Sequence, residues 1–467
     1  MSKDRQSFRL EHDLLGEKEV PADAYFGIHT LRAVENFPIT GNTIQKYPEL
    51  LSALAAVKQA CARANYELGF LDEYRADAIY KACEDIRDGQ LHDQFVVDVI
   101  QGGAGTSTNM NANEVIANRG LEYLGLERGE YHELHPLEHV NMSQSTNDVY
   151  PTALKIALQF EIRRLVDAMG VLQAEFEAKA DEFSGMLKMG RTQLQDAVPM
   201  TLGQEFGTFA IMLNEDRERL REASELIAEI NLGATAIGTG INAPAGYAAL
   251  ACKFLREITG IPLVKASNLV EATQDAGAFV QLSGVMKRVA VKLSKTCNDL
   301  RLLSSGPRTG FGEIILPPVQ AGSSIMPGKV NPVIPEVVNQ IAFEVIGNDI
   351  TISFAAEAGQ MQLNAFEPVM AYKLFNSIIH LRQGVLTLAE RCVCGITANA
   401  DLMFRNVENS IGIVTALNPI IGYENATAVA GEAFETGKGV VEIVLEKGLL
   451  TQEQLDDILS PEKLAGI

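Results

Sequence analysis

The chain has 467 residues, of which 47% are hydrophobic and only 6% aromatic, with no tryptophan. Its 39 basic and 60 acidic residues give a formal net charge of −21, which argues against nucleic acid or an anionic membrane as a partner, because both need a basic surface. The length allows two or three domains, and a composition rich in aliphatic residues favours packed helices over sheets.

The first part of the chain, to about residue 145, mixes short helical segments with turns and one strand-like run, FVVDVI, at 95–100. After Pro151 the pattern becomes that of long helices. Apolar residues recur every three or four positions over 154–176 and 206–230. The clearest stripe is formed by Phe279, Leu282, Met286, Val289, Leu293, Cys297, Leu300 and Leu303. Further helices are predicted at about 333–357 and 366–395. Such stripes indicate helices of about 30 residues, or roughly 45 Å.

Several long helices in succession predict a helix bundle. Their polar sides carry many Ala, Ser, Val and Gly residues instead of charges. Since helices that are apolar nearly all round are buried in a large core or against other subunits, we expect an oligomer assembled through the bundle. The end of the chain has shorter elements, and TQEQLDDIL at 451–459 predicts a capped amphipathic helix.

The six cysteines do not form a disulfide framework. Four lie among apolar helical residues, where a reduced core thiol is expected. Cys392 and Cys394 form a C-x-C pair without a second pair or a histidine nearby, so the sequence predicts no metal site. The N-terminus has no apolar leader-like segment and no run reaches membrane-spanning length, which predicts a cytoplasmic protein with no membrane partner.

Four segments interrupt the helices with a high density of Gly, Ser, Thr and Asn. They are GGAGTSTNMNANE (102–114), SQSTND (143–148), GRTQLQDA (190–197) and AGSSIMPGKVNP (321–332). A bundle needs only short turns, so polar loops of this richness indicate a function. Each segment also has a plain structural alternative: a glycine turn for the first, a helix cap for the second and third, and a proline-broken linker for the last.

Neither glycine-rich segment matches a nucleotide-binding motif. The dinucleotide pattern G-x-G-x-x-G would require glycine at position 108, where Thr108 stands. The P-loop pattern, read back from Lys329, would require glycine at 323 and a serine or threonine at 330. The chain has Ser323 and Val330 there, so the pattern fails twice.

Together the four loops supply many neutral hydrogen-bond donors and only two cations, Lys329 and Arg191. Such a set suits a small carboxylate held by hydroxyls, amides and one lysine. None of the seven histidines lies in these loops. If a proton is abstracted there, a serine is the candidate base.

In these loops the chain resembles the aspartase/fumarase superfamily, and the resemblance runs nearly from end to end. It extends from EHDLLGEKEVPADAYFG (11–27) through GSSIMPGKVNP, the motif most specific to the superfamily, to SIGIVTALNP (410–419). It implies a mainly α, three-domain fold with a long central five-helix bundle, which we place at 1–145, 146–399 and 400–467. It also implies a homotetramer with a 20-helix core and active sites shared by three subunits. No cofactor is required, and activation by a divalent cation such as Mg²⁺ stays open.

Within the superfamily, the sequence favours the branch that eliminates ammonia from L-aspartate to give fumarate. Gln193 stands where fumarases typically have histidine, and SQSTND carries a threonine where they usually have a second serine. The resemblance implies reversible anti-elimination through an aci-carboxylate dianion, whose added charge preorganised donors would stabilise. The alternatives are a class II fumarase, which converts malate to fumarate, and a non-catalytic structural homologue.

The resemblance also assigns roles to site residues. The base is Ser323, acting as an alkoxide whose pKa is lowered by Lys329 and loop amides. The residues expected to hold the β-carboxylate are Thr106, Ser145, Thr146 and Ser324. Those expected to hold the α-carboxylate are Thr192, Lys329 and Asn331, with Gln193 as a further substrate contact. Asn147, helped by Thr106, is expected to contact the ammonium group. The glycines of the last loop suggest that it closes over the substrate.

Overall fold

The structure, a computed structural model, describes residues 7–466. The first six residues, part of the segment predicted to lack a leader, and Ile467 lie outside the described residues. Seventeen α-helices and eight short strands are present in the described range, so the predicted mainly α fold class is confirmed. None of the helices described is both long enough and apolar enough to span a membrane.

The elements before the first long helix are a β-hairpin and four helices. In order they are β1 (Phe8–Asp13), β2 (Gly16–Pro21), α1 (Ile28–Asn36), α2 (Pro48–Glu67), α3 (Glu73–Arg87) and α4 (Thr106–Tyr123). The strand-like run at 95–100 does not form a strand. That segment is a loop in which only Asp98 forms an isolated bridge, with Thr43. The alternate residues Phe95, Val97 and Val99 are buried, as in a strand, but no strand in the range 7–466 pairs with this segment.

The middle of the chain holds five helices of 25 or more residues, separated by short elements. In order the elements are α5 (Thr146–Glu182), β3 (Leu187–Thr192), β4 (Gln195–Thr201), α6 (Leu202–Leu226), β5 (Glu229–Ile230), α7 (Tyr247–Thr259), β6 (Val264–Lys265), α8 (Leu269–Gln274), α9 (Gly277–Leu303), β7 (Ile314–Ile315), α10 (Val333–Glu357) and α11 (Glu367–Arg391). All eight residues of the predicted α9 stripe are buried. The stripe expected over 206–230 extends past its helix, because α6 ends at Leu226 and Ile230 lies in β5.

The remaining elements are short. They are β8 (Thr397–Ala398), α12 (Ala400–Asn409), α13 (Val414–Ile421), α14 (Tyr423–Thr436), α15 (Val440–Glu446), α16 (Gln452–Ile458) and α17 (Pro461–Ala465). The predicted capped helix is confirmed, since Thr451 and Gln454 form a capping box at the start of α16. The strands form four two-stranded sheets, of which β5–β6 is parallel and the other three are antiparallel.

The described chain forms two compact units. The first contains 7–166, 219–288 and 344–380, and the second contains 167–218, 289–343 and 381–466. The division falls within the five long helices, so each unit holds a part of every one. The three-domain division drawn from the sequence stays a prediction.

Each unit has its own contacts between long helices. In the first unit, the Ser283 hydroxyl of α9 donates to Asp349 Oδ1 of α10 at 2.8 Å. In the second, Phe176 of α5 packs its ring against Phe206 and Phe209 of α6, with centroid distances of 6.0 and 5.3 Å. A buried hydrogen bond such as Ser283–Asp349, and ring packing such as that around Phe176, each fix the rotation of one helix against its neighbour.

Candidate active site

The first polar loop leads directly into α4. Thr106 is the first residue of that helix and is exposed, and its hydroxyl donates to Gly103 O at 2.7 Å. Gly105 before it has φ +92°, and a Cβ there would lie 2.6 Å from ring atoms of Tyr150. Only glycine fits this position, so the loop brings the amino end of α4 close to the first turn of α5.

Ser145, Thr146 and Asn147 stand at the amino end of the 37-residue helix α5. The two helix starts touch, because Asn109 Nδ2 of α4 donates to Thr146 Oγ1 of α5 at 3.0 Å. Helix amino ends present unpaired N–H groups and the positive end of the helix dipole. The structure thus brings four of the predicted substrate residues into one group suited to a carboxylate.

Asp148 is a residue whose role the sequence did not reveal. It looked like an ordinary helix-capping residue, but its carboxylate is buried and accepts from the N–H groups of Ser145, Gly233 and Thr235 at 2.9 to 3.1 Å. Burial raises the pKa of Asp148 to about 6. The residue ties the start of α5 to the segment 231–240, a contact between distant parts of the chain that no local pattern signals.

Lys58, in α2, is the second such residue. It is fully buried, and its ammonium donates to Asn141 Oδ1 and Gln144 Oε1, both at 2.9 Å. Burial lowers the pKa of Lys58 to about 8. Those two acceptors belong to the turn just before Ser145, so Lys58 holds that turn, and with it the start of α5, in place. A lone lysine in the apolar run ALAAVKQACA was the available signal.

In the second unit, Thr192 ends β3 and Gln193 begins the two-residue turn to β4. Gln193 and Leu194 have φ of +55° and +62°, the backbone shape of a type I′ hairpin turn. Beside the turn, Arg191 Nη1 lies 2.6 Å from Glu313 Oε1, and Glu313 is fully buried. The Arg191 charge is therefore paired inside the protein, which leaves Lys329 as the cation of the four loops suited to a ligand.

The loop 321–332 is a closed turn around Ser323. Its hydroxyl oxygen accepts from Met326 N at 2.9 Å and from Ile325 N at 3.2 Å. Two backbone N–H donors aimed at one oxygen favour negative charge on that oxygen. The side chain of Ser323 is half-buried, whereas that of Ser324 is exposed.

The ends of this loop are held together near Gly322. Gly322 N donates to Lys329 O at 2.9 Å, and Asn331 Nδ2 donates to Gly322 O at 2.7 Å. A Cβ at Gly322 would lie 2.5 Å from Lys329 O, so glycine is required for this close approach. Asn331 thus braces the loop. The side chain of Lys329 is exposed, and it forms no ion pair with any residue in the range 7–466.

The predicted residues fall into separate groups. Thr106, Ser145, Thr146 and Asn147 belong to the first unit, and the other six belong to the second. Within the second unit, no hydrogen bond between described residues joins the hairpin turn at 192–193 to the loop at 321–332. All six cysteines are free thiols, and five are buried. Among residues 7–466 no group of three or more His, Cys, Asp or Glu is arranged to hold a metal ion.

Chemically, these groups offer hydroxyl, amide and ammonium donors that suit carboxylates, and a serine oxygen that accepts two backbone N–H bonds. A family model described as lyase matches residues 16–347, and one described as fumarase C C-terminus matches residues 413–466. The matches cover most of the chain and include all four polar loops. The chain therefore belongs to the aspartase/fumarase superfamily of lyases.

Relatives with curated names are similar over nearly the whole length. The aspartate ammonia-lyase of Pseudomonas aeruginosa is 61% identical and that of Helicobacter pylori 58%, each over 98% of this chain and 97% of the relative. The aspartate ammonia-lyase of Escherichia coli is 57% identical over 98% of this chain and 96% of its own.

Solved structures have the same fold. A fumarate lyase:delta crystallin from Brucella melitensis, bound to cobalt, is 56% identical with a TM-score of 0.96, and the match covers 98% of this chain and all of that one. A class II fumarase from Schistosoma mansoni reaches a TM-score of 0.94 at 34% identity, over 98% of this chain and 99% of its own. Sequence similarity is therefore higher to the ammonia-lyases than to this fumarase.

Proposed function

We propose that this protein is an aspartate ammonia-lyase, a carbon–nitrogen lyase that reversibly eliminates ammonia from L-aspartate to give fumarate. The observation that carries the proposal is the 57–61% identity to aspartate ammonia-lyases over 98% of the chain. The loops agree with it, since they offer hydroxyls, amides and one unpaired lysine to a small dicarboxylate.

In the proposed reaction, Ser323 removes the proton from the carbon next to the β-carboxylate. Its hydroxyl accepts two backbone N–H bonds, which favour the alkoxide that a serine base requires. The β-carboxylate gains negative charge as the proton leaves. Thr106, Ser145, Thr146 and Ser324 would stabilise that charge, and two helix amino ends supply further positive potential. The C–N bond then breaks and ammonia departs.

The rest of the substrate is held by the remaining residues. Lys329 pairs with the α-carboxylate, supported by Thr192 and Asn331, while Gln193 lines the same side. Asn147 contacts the ammonium group. As in the superfamily that the chain resembles, the proposal assigns each active site to loops from three subunits of a homotetramer.

An apolar stripe on α10 supports the oligomer. Phe343, Ile350 and Phe354 are 56 to 70% exposed in the single chain, and their spacings of seven and four residues put them on one face of the helix. Large apolar side chains that recur on one exposed helix face are typical of a subunit interface. A second copy of this chain is the proposed occupant of that face.

The absence of a required cofactor and the cytoplasmic location stay predictions. Turnover measured after exhaustive dialysis against EDTA, with and without added Mg²⁺, separates a metal-independent reaction from one that the cation activates. A reaction that stops after dialysis and resumes with the metal would overturn the first prediction.

The function is tested by incubating the purified protein with L-aspartate or L-malate and following the absorbance of fumarate. We expect fumarate from aspartate. Fumarate from malate alone would identify a class II fumarase instead, and fumarate from neither substrate would support the non-catalytic homologue.

A further inference from the structure

The segment 231–240, NLGATAIGTG, lies outside the four loops but forms two hydrogen bonds with Asn147, one to its backbone and one to its side chain. Asn231 Nδ2 donates to the backbone oxygen of Asn147 at 3.0 Å. The side-chain amide of Asn147 in turn donates to Ala236 O at 2.7 Å. Next to it, Gly233 N and Thr235 N donate to Asp148 Oδ2 at 3.1 and 2.9 Å. Four hydrogen bonds therefore join this segment to two consecutive residues of α5.

The backbone of the segment has a shape that few residues permit. Gly233 has φ +92°, and a Cβ there would lie 2.3 Å from the Cβ of Ala248, so no side chain fits. Thr235 has φ +57°, a left-handed conformation that is costly for a β-branched residue. The loop is closed by Gly238 N and Gly240 N, which both donate to Ala234 O at 3.0 Å. Such a rigid loop holds the Ala236 carbonyl in a fixed place.

The position of the Ala236 carbonyl determines the orientation of the Asn147 side-chain amide. A carbonyl oxygen only accepts hydrogen bonds, so Ala236 O must meet the amide nitrogen of Asn147 and not its oxygen. Asn147 Oδ1 is then the atom left for a ligand, and none of the residues 7–466 donates a hydrogen bond to it. An acceptor in that position suits an ammonium group, which has three donors and no acceptor.

We infer that the segment 231–236 is a positioning device that selects ammonia as the amine partner of the reaction, by turning the acceptor of Asn147 toward it. This inference rests on the proposed function. Asn231, Gly233 and the Ala236 carbonyl act through Asn147 and do not touch the substrate. The carboxylate groups of the substrate are held by other residues, so the effect is confined to the amine.

The test uses the reverse reaction, the addition of ammonia to fumarate, with the full-length protein. Asn231→Ala removes the donor to the Asn147 backbone, and Asn147 should lose its alignment. We expect the KM for ammonia to rise about tenfold or more, as for a lost hydrogen bond to a charged group. The KM for fumarate should change by less than about twofold. A merely structural defect would lower kcat or raise both KM values together, and either result would overturn the inference.

Gly233→Ala provides a second variant, and if it does not fold, a double variant with Ala248→Gly removes the shortest contact of the added Cβ, that with the Cβ of Ala248, although its 2.7 Å approach to the Ala248 Cα stays. Gly260→Ala is the matched control, because Gly260 also has a positive φ, of +66°, and nothing within 4 Å of an added Cβ. We expect Gly233→Ala, alone or paired, to raise the KM for ammonia, and Gly260→Ala to leave it unchanged. Equal effects of the two glycine variants would count against the inference.

Measurements on the unmodified protein distinguish a failure of the proposed function from a failure of the positioning role. If it fails to add ammonia to fumarate, the proposed function is wrong. If it adds ammonia normally while Asn231→Ala and the Gly233 variants keep the same KM for ammonia, only the positioning role of the segment 231–236 is wrong.

Discussion

A serine hydroxyl is a weak base, and the surroundings of Ser323 address that weakness directly. Its oxygen accepts N–H bonds at 2.9 and 3.2 Å from residues three and two positions later. Both donors are backbone groups of the same closed loop, so they cannot rotate away as side chains do. In the proposed reaction these preorganised dipoles would stabilise the alkoxide form of Ser323.

We predict that Ser323→Ala lowers kcat by about 10²–10⁴-fold or more, the usual contribution of a positioned base. The oligomer should stay intact, because the hydroxyl bonds only to its own loop. Activity is measured by fumarate release and assembly by analytical ultracentrifugation. Ser184→Ala, which removes an exposed hydroxyl bonded to Asp181 O, is the control and should be fully active. Near-normal activity of Ser323→Ala would remove Ser323 as the base.

The proposed role of Lys329 is different: it pairs its positive charge with the α-carboxylate of the substrate. Replacing it with alanine leaves a substrate carboxylate without its cation, so we predict that Lys329→Ala weakens substrate binding by about 2–5 kcal/mol. The change should appear mainly in KM. Lys295→Ala, on an exposed part of α9 and paired with Asp299, is the control of equal charge change. An unaltered substrate affinity in Lys329→Ala would contradict the proposed pairing.

Among the elements, α11 begins with a buried carboxyl group, that of Glu367, whose contribution to the free energy of folding depends on pH. Burial raises the pKa of Glu367 to about 8, and Lys155 offsets this only in part. The Lys155 ammonium donates instead to Glu229 O at 2.7 Å. The folded state therefore binds the Glu367 proton more tightly than the unfolded chain does, so stability falls as the pH rises from about 4.5 toward 8.

Glu367→Gln removes the ionisable group and keeps its size, so we predict a variant whose stability advantage grows with pH. The free energy of unfolding relative to the unmodified protein should change little near pH 5. It should then rise by up to about 1.4 kcal/mol per pH unit and level off above about pH 8. Thermal unfolding at fixed protein concentration measures it. Glu424→Gln, an exposed first-turn glutamate of α14, should show no such trend. A pH-independent difference for Glu367→Gln would refute the prediction.

The elements also show what a sequence can reveal. The stripe on α9 could be predicted because its eight residues recur at steps of three or four and bury one face of the helix. The run at 95–100 has the alternation of a strand, yet strands also need a partner, and pairing is not encoded in a six-residue pattern. The bounds of α10 were predicted correctly, since Pro332 and the loop before it mark its start.

At the site, the polar loops were visible because Gly, Ser, Thr and Asn cluster there against an apolar background. Lys58, Asp148 and the segment 231–240 were not singled out. Their roles come from hydrogen bonds between residues 83 to 89 positions apart. Such contacts exist only once the chain has folded, so local composition carries no sign of them.

For the whole molecule, the main energetic question is what covers the apolar face of α10. Each chain carries a net charge of −21, so electrostatic repulsion opposes the association of four copies. The apolar face is the feature able to offset it, since burying one large apolar side chain contributes about 1.5–3 kcal/mol. The proposed tetramer repeats that contribution in every subunit.

We predict that Phe354→Asp dissociates the oligomer and abolishes activity together. Phe354 is 70% exposed in the single chain, and a carboxylate in its place would have to be buried unpaired at the interface, which costs several kcal/mol. Analytical ultracentrifugation should show smaller species, and fumarate release should be lost if, as proposed, each site is built from loops of three subunits. Phe434→Asp on α14 replaces a phenylalanine that is 82% exposed and should leave both mass and activity unchanged. An active monomer of Phe354→Asp would refute shared active sites, and an intact tetramer would show that α10 does not form the interface.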